Sequence, residues 1–229
     1  MLERLADAML ELRVPHPTRV AIDGRSAAGK TTLADEMAEV VRGRGREVLR
    51  ASIDDFHLPG HKYRSQRKEW TPRSYYDEGY DYDAFLDVLL RPLGPGGDLR
   101  CRTGIFDSYH DSWLPEEWHQ VARDALVLVD GAFLFRPGLA EHWDYTLWLD
   151  IRWDTMFERA QERDVAWVGS REAVLDRYQR HWLPTHELYE QATGARERAH
   201  AVVDNNRVEA PRILRLSPGR PAAPVDPAS

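Results

Sequence analysis

Residues 19–31 read RVAIDGRSAAGKT, an apolar run that leads directly into a glycine-rich turn and a lysine. Residues 24–31 match the pattern G-x-x-x-x-G-K-[ST] in full. The apolar run predicts a buried strand over Arg19–Asp23, and apolar residues three and four apart predict a helix over Lys30–Val41. A glycine-rich turn between a strand and a helix is the setting of a phosphate-binding loop, or P-loop.

The P-loop has the chemistry of a nucleoside triphosphate site. Glycines allow tight turns in which N–H groups point at phosphate oxygens, and the following helix adds the positive end of its dipole. Lys30 is predicted to reach the β- and γ-phosphates, and the Thr31 hydroxyl to bind Mg²⁺. The alternative is a turn beside an exposed lysine. The predicted nucleotide-binding residues are Gly24, Arg25, Ser26, Ala27, Ala28, Gly29, Lys30, Thr31 and Thr32.

Other apolar runs alternate with helical spacings along the chain. The predicted strands are Glu47–Ser52, Ala125–Val129, Tyr145–Ile151 and, last in the chain, Ala201–Val203. The predicted helices span residues 2–12, Ala84–Leu90, Trp153–Arg163 and Arg171–Tyr189. Leu99–Phe106 is predicted to supply one or two short strands, such as a hairpin through Gly104. This alternation predicts an α/β fold with a mostly parallel sheet covered by helices.

Domain organisation follows from the length and the C-terminal composition. The chain has 229 residues without internal repeats, which predicts one domain over residues 1–216. Residues 217–229 read SPGRPAAPVDPAS, and this Pro- and Ala-rich composition predicts a disordered tail. Asp54–Tyr82 is polar, aromatic and irregular, and long connections of this kind are often functional.

Charge and cysteine content exclude several classes of protein. The 31 Lys and Arg against 38 Asp and Glu give a net charge of −7, which argues against a nucleic-acid partner bound through the overall field. The longest apolar runs, such as Ala125–Val129, are too short to cross a bilayer, so no membrane association is expected. Cys101 is the single cysteine, which excludes an internal disulfide and is compatible with a cytoplasmic protein.

An acid for the metal is expected at the end of a hydrophobic strand near the P-loop. The run ALVLVD supplies Asp130 at such a position, although an Asp here could also cap the next turn. GTPases that recognise guanine usually carry an Asn/Thr-Lys-x-Asp motif on a later strand. The chain has no such segment, so ATP is favoured over GTP.

A candidate catalytic base follows the second predicted strand, in the segment SIDDFHLP at residues 52–59. In a parallel sheet this point lies at the carboxyl edge beside the P-loop. Asp54 or Asp55 is therefore predicted to face the γ-phosphate, where a carboxylate could accept the proton of an acceptor hydroxyl. In isolation, an Asp pair after a strand is more often a helix cap or part of a turn.

Three segments together resemble the uridine kinase family and its relatives phosphoribulokinase, bacterial pantothenate kinase and nicotinamide riboside kinase. They are IDGRSAAGKTTLA from residue 22, IDDFH from residue 53 and LVDGAFLF from residue 128. The resemblance covers residues 18–204. It implies a P-loop NTPase three-layer sandwich with a helical lid. It also implies transfer of the ATP γ-phosphate, with Mg²⁺, to a hydroxyl of a small molecule.

The same resemblance assigns roles to single residues. Asp54 matches the catalytic aspartate of the family, and Asp130 stands where the metal-binding acid is usually Glu. Arg159 and Arg163 are four apart on one helix face and match the start of a lid whose arginines stabilise the transferring phosphoryl group. A solvated helix with charge pairs is the alternative, since Glu158 lies beside Arg159.

The acceptor pocket departs from the uridine kinase pattern. Phe106 stands at a tyrosine position, His110 is displaced by one residue, and Arg177 replaces a glutamine that contacts the base. A site built on hydrogen bonds to a base discriminates strongly when these partners change, so uridine is disfavoured as the acceptor. The predicted acceptor-binding residues are Asp81, Arg102, Phe106, His110, Arg177 and Tyr178. Aromatic residues that could line the pocket or merely pack are Tyr63, Trp70, Tyr75, Tyr76, Tyr80 and Tyr82.

Three functions are consistent with these residues. The favoured one is an ATP- and Mg²⁺-dependent kinase with a small-molecule acceptor, as a monomer or a homo-oligomer. The second is a P-loop ATPase that acts as a switch or assembly factor without such an acceptor. The third is a nucleotide-binding protein without catalysis, which intact Lys30, Asp54 and Asp130 disfavour.

Overall fold

A computed structural model of the chain describes residues 1–60 and 71–219. Its centre is a six-stranded sheet with the order β10-β9-β8-β1-β7-β2. The five strands other than β10 run parallel. This arrangement confirms the predicted α/β class. The strands of the sheet are β1 (Thr18–Gly24), β2 (Val48–Ser52), β7 (Leu126–Asp130), β8 (Tyr145–Asp150), β9 (Ala201–Asp204) and β10 (Arg212–Leu216).

Helices cover both faces of the sheet. They are α1 (Leu2–Leu10), α2 (Lys30–Gly43), α3 (Pro72–Glu78), α4 (Tyr82–Phe85), α5 (Trp153–Val168), α6 (Arg171–Arg177), α7 (Leu183–Thr193) and α8 (Ala195–Arg198). Short 3₁₀ turns occupy Ile53–Phe56 and Ala140–His142, and π turns occupy Leu86–Leu90 and Tyr178–Trp182. The second π turn joins α6 to α7, so the predicted helix over Arg171–Tyr189 is interrupted once and continues to Thr193.

Burial on both faces explains the apolar run of β1. Val20 and Ile22 pack in a core with α1 and α2, whereas Ala21, which lies between them, packs in a second core with α3, α4 and α7. Since strand side chains alternate between faces, a strand covered on both faces must be apolar at nearly every position. Helices on either side of the sheet form the three predicted layers.

The sequence misses the last strand, so the prediction that Ala201–Val203 ends the sheet is wrong. β10 pairs antiparallel with β9 at the sheet edge, with a register irregularity between Ile213 and Arg215. Its residues alternate polar and apolar and remain partly exposed, a weaker signal than the apolar runs of the central strands.

The short strands beside the sheet also differ from the expected hairpin through Gly104. β3 (Arg100–Cys101) pairs with β6 (His119–Gln120), and β4 (Phe106–Asp107) pairs with β5 (Ser112–Trp113). Gly104 lies between β3 and β4, where a Cβ atom would come within 2.7 Å of the Asp55 Cβ. The glycine therefore serves a close approach to the turn after β2, and the hairpin prediction is wrong.

The C-terminal segment is only partly described. Ser217 donates its N–H to the His200 carbonyl and accepts from the Tyr145 hydroxyl, and residues 220–229 lie outside the described part. The division at residue 216 thus stays a prediction. Among residues 1–60 and 71–219, no helix is both long and apolar enough to cross a membrane.

Candidate active site

The P-loop lies between β1 and α2 at the carboxyl edge of the parallel strands. Gly24 touches the neighbouring strand, where a Cβ atom would come within 2.4 Å of the Leu149 carbonyl oxygen. Ala27 and Gly29 have positive φ angles of 58° and 91°. The left-handed backbone turns the loop back on itself so that it leads into α2 at Lys30.

The Lys30 side chain folds back onto the P-loop. Its Nζ donates to the carbonyl oxygens of Gly24 and Arg25, each at 3.0 Å. Burial lowers the pKa of Lys30, and the carboxylates of Asp23, Asp54 and Asp130 act in the opposite direction. The ammonium group is thus held where the P-loop and the site carboxylates meet.

Thr31 and Asp130 form an oxygen-rich pair beside Lys30. The Thr31 hydroxyl donates to Asp130 Oδ2 at 2.6 Å, and Asp130 is almost fully buried at the end of β7. The described residues contain no group of three His, Cys, Asp or Glu that could hold a metal. A hydroxyl and one carboxylate nevertheless fit Mg²⁺, since this ion is usually bound by one or two carboxylates with phosphate oxygens and waters.

The structure separates the two neighbouring aspartates after β2. Asp54 lines a cavity of which the P-loop forms one wall, and its Oδ1 accepts a hydrogen bond from the Tyr80 hydroxyl at 3.0 Å. Asp55 does not line that cavity and instead lies against Gly104. Partial burial of the carboxyl group, together with the charges of Asp54, Asp130 and Asp107, raises the pKa of Asp55 to about 6.

One cavity of about 710 Å³ brings most of the predicted site together. P-loop residues Ser26 to Thr32 form one wall, and Asp54 and Asp130 lie at the carboxyl edge of the sheet. Arg159 and Arg163, the predicted lid arginines, line the cavity, as do two of the predicted acceptor residues, Arg177 and Tyr178. The remaining walls are largely aromatic: Tyr75, Tyr80, Tyr109, Phe133, Trp167 and Trp182.

The two lid arginines of α5 are held by different partners. Arg159 donates through Nη2 to the carbonyls of Asn205 and Asn206, at 2.7 and 3.1 Å. Arg163 pairs with Asp164 at 2.7 Å and donates to the Tyr178 hydroxyl at 3.0 Å. Both arginines are therefore fixed at the cavity wall rather than in charge pairs with the glutamates of their own helix.

Two predicted acceptor residues serve local structure outside the cavity lining. The Asp81 carboxylate caps α4 by accepting from the Ala84 N–H at 2.9 Å. Arg102 donates to the Pro115 carbonyl at 3.3 Å and lies 3.9 Å from the Glu116 carboxylate. Neither side chain is brought to the P-loop.

The other two are likewise absent from the cavity lining. Phe106 is buried in the core and packs edge-on against Trp113, with ring centroids 5.4 Å apart. The His110 side chain is 80% exposed and bonds to Asp107 at 2.6 Å. An acceptor-binding role for these four residues remains a prediction without support from the cavity geometry.

The aromatic residues after β2 divide into two groups. Tyr75 and Tyr80 line the cavity. Tyr82 instead donates to the Tyr76 carbonyl at 3.1 Å, and the Arg136 guanidinium covers both of these rings. Two further predicted aromatics, Tyr63 and Trp70, lie outside the described residues.

Helix α7 supports the P-loop from outside, a role that sequence reasoning misses. Three of its side chains at positions i, i+3 and i+4 share one face and meet successive parts of the loop. His186 Nε2 accepts from the Ser26 N–H at 3.1 Å, and the Tyr189 hydroxyl donates to Asp23 at 2.6 Å. Glu190 forms a bidentate salt bridge with Arg25, whose Nε and Nη2 each donate to one carboxylate oxygen at 2.8 Å.

These contacts change the expectation for Arg25. Its guanidinium bonds to Glu190 and stacks on Trp153, 3.7 Å from the ring centroid, so the side chain points away from the cavity. Only its backbone remains available as a nucleotide contact. The signal in the sequence is the polar spacing H-x-x-Y-E at residues 186–190, which places three polar side chains on one face of a helix.

Asp23 is a fully buried carboxylate beneath the P-loop. It accepts hydrogen bonds from the N–H groups of Gly24 and Leu134 and from Tyr189. Burial raises its pKa to about 6, although these donors and Lys30 oppose the shift. His186 shows the reverse effect, since burial lowers its pKa to about 3 and keeps the imidazole neutral.

We expect Asp23 to make folding stability depend on pH. Because its pKa is raised in the folded state, the folded chain binds this proton more strongly than the unfolded chain. The resulting stabilisation, up to about 3 kcal/mol, is complete below about pH 4 and is lost as the pH rises through about 6. Urea unfolding of the wild type and of Asp23→Asn across this pH range measures how the free energy of unfolding of each protein depends on pH. Equal pH slopes in the two proteins would contradict the assignment, and Asp124→Asn, at an exposed position, serves as control.

The chain is similar to known kinases in sequence and in fold. The sequence model of the phosphoribulokinase/uridine kinase family matches residues 20–209. Uridine-cytidine kinase B of Dictyostelium discoideum is 29% identical over 179 residues, covering 76% of this chain and 70% of that protein. A structure described as a possible uridine kinase from Bacillus stearothermophilus gives a TM-score of 0.69 at 17% identity, over 88% of this chain and 96% of that one. A candidate fructose transport system kinase from Silicibacter sp. TM1040 gives 0.69 at 22% identity, over 84% and 95%.

Proposed function

This chain belongs to the phosphoribulokinase/uridine kinase family, and from that membership we propose that it transfers the γ-phosphate of ATP, with Mg²⁺, to a hydroxyl of a nucleoside or similar small metabolite. The chain is a phosphotransferase that acts on a hydroxyl group. The observation that carries the proposal is the shared cavity, which is lined by the P-loop on one side and by Asp54 on the other.

In the proposed reaction, the oxygen of the acceptor hydroxyl bonds to the γ-phosphorus while Asp54 accepts the proton of that hydroxyl. The bond between this phosphorus and the β,γ-bridging oxygen breaks, and ADP leaves. Catalysis of this transfer lies mainly in positioning and in stabilising charge. Lys30, Arg159 and Arg163 supply positive charge around the phosphates. Thr31 and Asp130 would hold Mg²⁺, which neutralises phosphate charge when bound.

The acceptor side of the cavity favours a compound that carries a carboxylate or phosphate besides its hydroxyl. Arg177 lines this side, and its guanidinium lies 4.7 Å from the Trp167 ring centroid and 5.6 Å from that of Trp182. Stacking on rings fixes the plane of a guanidinium, which then matches the two oxygens of a carboxylate or phosphate. Hydrogen bonds from a guanidinium to a charged oxygen pair are stronger than those to the neutral oxygens of a nucleobase.

A panel of acceptors tests the function. The compounds are used in pairs that differ by one anionic group, such as glycerate and glycerol or a sugar phosphate and its sugar, together with nucleosides and pantothenate. We expect ATP-dependent phosphorylation of at least one compound, with the anionic member of a pair preferred. Rapid ATP hydrolysis that no compound stimulates would instead favour the switch-like ATPase.

The variant Arg177→Gln tests the anionic preference separately. We expect it to reduce kcat/KM for the anionic acceptor by about tenfold or more, because a charge-assisted pair is lost, and to leave the KM for ATP within about twofold. Arg180→Gln is the matched control, since Arg180 lies on the neighbouring π turn, is largely exposed and pairs with Asp176. An equal reduction of kcat/KM for the anionic compound and for its uncharged counterpart would contradict recognition of the anion by Arg177.

A further inference from the structure

Arg50 makes an unusual set of contacts with the predicted metal site. It lies on β2 and extends across the neighbouring strand β7. Its Nη1 donates to the Leu128 carbonyl at 2.8 Å, and its Nη2 donates to Asp130 Oδ1 at 2.9 Å. Its Nε donates to Asp35 on α2 at 3.0 Å. All three guanidinium nitrogens are therefore engaged, and the side chain is only 18% exposed.

Both oxygens of Asp130 are occupied by side chains of the protein. Arg50 holds Oδ1, and the Thr31 hydroxyl holds Oδ2. The Asp130 side chain is only 2% exposed, so its pairing with Arg50 is largely shielded from water. Shielded ion pairs are weakened less by salt than exposed ones. The positive charge of Arg50 therefore offsets the negative charge of Asp130 at the position where a cation would bind.

Asp130 lies among charges of both signs, with the Asp54 carboxylate and the Lys30 ammonium in the same cavity. Asp54 lies in the same cavity, and the charges of Asp54 and Asp130 both raise the pKa of Asp55. Carboxylates close together attract a divalent cation even without other ligands. Arg50 offsets one of these charges at the carboxylate itself, on the side opposite to Thr31.

We propose that Arg50 makes metal binding at Asp130 dependent on nucleotide. Its charge weakens the attraction of the free site for Mg²⁺, so that the cation enters only when phosphate oxygens add further ligands and negative charge. Arg50 remains on Oδ1, and Oδ2 with Thr31 faces the nucleotide. Arg50 is a positioning residue under this proposal, which rests on the proposed ATP and Mg²⁺ site.

Titration of MgCl₂ into the nucleotide-free protein tests the proposal by calorimetry. We expect Arg50→Gln to tighten Mg²⁺ binding by about tenfold or more, because one positive charge next to the carboxylate is removed. Arg42→Gln is the matched control and should bind Mg²⁺ as the wild type does. Arg42 lies on the same side of the sheet, pairs with Glu39 and bonds to the Val48 carbonyl rather than to Asp130. Unchanged or weaker Mg²⁺ binding in Arg50→Gln would overturn the proposal.

A second measurement needs no variant. Thermal unfolding of the wild type is compared in excess MgCl₂ alone, in the non-hydrolysable analogue AMP-PNP alone and in both together. We expect stabilisation by the combination and none by MgCl₂ alone, because a ligand stabilises a protein according to its binding to the folded state. Stabilisation by MgCl₂ alone that equals the combined effect would overturn the inference.

The two hypotheses fail in different ways. If no acceptor is phosphorylated but Mg²⁺ binding depends on nucleotide and on Arg50, the proposed function is wrong and the role of Arg50 remains. If an acceptor is phosphorylated but Arg50→Gln leaves Mg²⁺ binding to the free protein unchanged, only the role of Arg50 is wrong.

Discussion

Asp54→Asn is expected to lower kcat for phosphoryl transfer by at least about a hundredfold, the typical contribution of a general base. Asparagine keeps the size of the side chain and can still accept the hydrogen bond from Tyr80, but its amide cannot take the acceptor proton. The KM for ATP should change little, since the P-loop is untouched. Steady-state kinetics with the best acceptor of the panel measures both values.

Asp55→Asn is the matched control for this variant. Asp55 neighbours Asp54 in the same turn but does not line the cavity, so its replacement should leave kcat within about threefold of the wild type. If Asp54→Asn keeps full activity, or if both variants lose activity equally, Asp54 is not the specific base.

Lys30→Met is expected to lower kcat/KM for ATP by about a hundredfold or more, because removing one preorganised positive group from a charge-stabilising site costs about this much. Methionine retains much of the side-chain length without the charge. The ammonium of Lys30 also bonds to two carbonyls of the P-loop, so the fold of this variant has to be measured as well.

The fold and the nucleotide site of Lys30→Met are measured separately. Thermal unfolding should still give one cooperative transition, and the binding of AMP-PNP should weaken. Normal ATP kinetics in a folded variant would remove Lys30 from the mechanism. A lowered Tm would show that its bonds to the P-loop carbonyls contribute more than its burial costs.

The parts of the site that sequence predicts well are encoded locally. The P-loop is one continuous segment whose glycines, lysine and threonine follow from backbone geometry and charge. Asp130 is found in a similar way, since the end of an apolar strand can be read from the chain itself. The central strands β1, β7 and β8 were predicted for the same reason, because burial on both faces leaves a continuous apolar run.

Contacts between distant segments could not be predicted. The bond between Asp23 and Tyr189 joins residues 166 positions apart, and no local pattern specifies it. The family resemblance predicts an acceptor contact for His110, yet its pairing with nearby Asp107 leaves it at the surface. Arg50 looks like an ordinary polar residue on an edge strand, and its role becomes visible only when β7 places Asp130 beside it.

The π turn at Tyr178–Trp182 sets the helix register between Arg177, the proposed anion-binding residue, and α7. A π turn contains one residue more than an α-helical turn, so deleting a residue there would rotate α7 by about 100° relative to α6. Arg177 at the cavity wall and His186 at the P-loop could then not both keep their places. Any replacement of the cavity-lining segment around Arg177 must therefore keep the number of residues in this helix as well as the side chains of α7 that contact the P-loop.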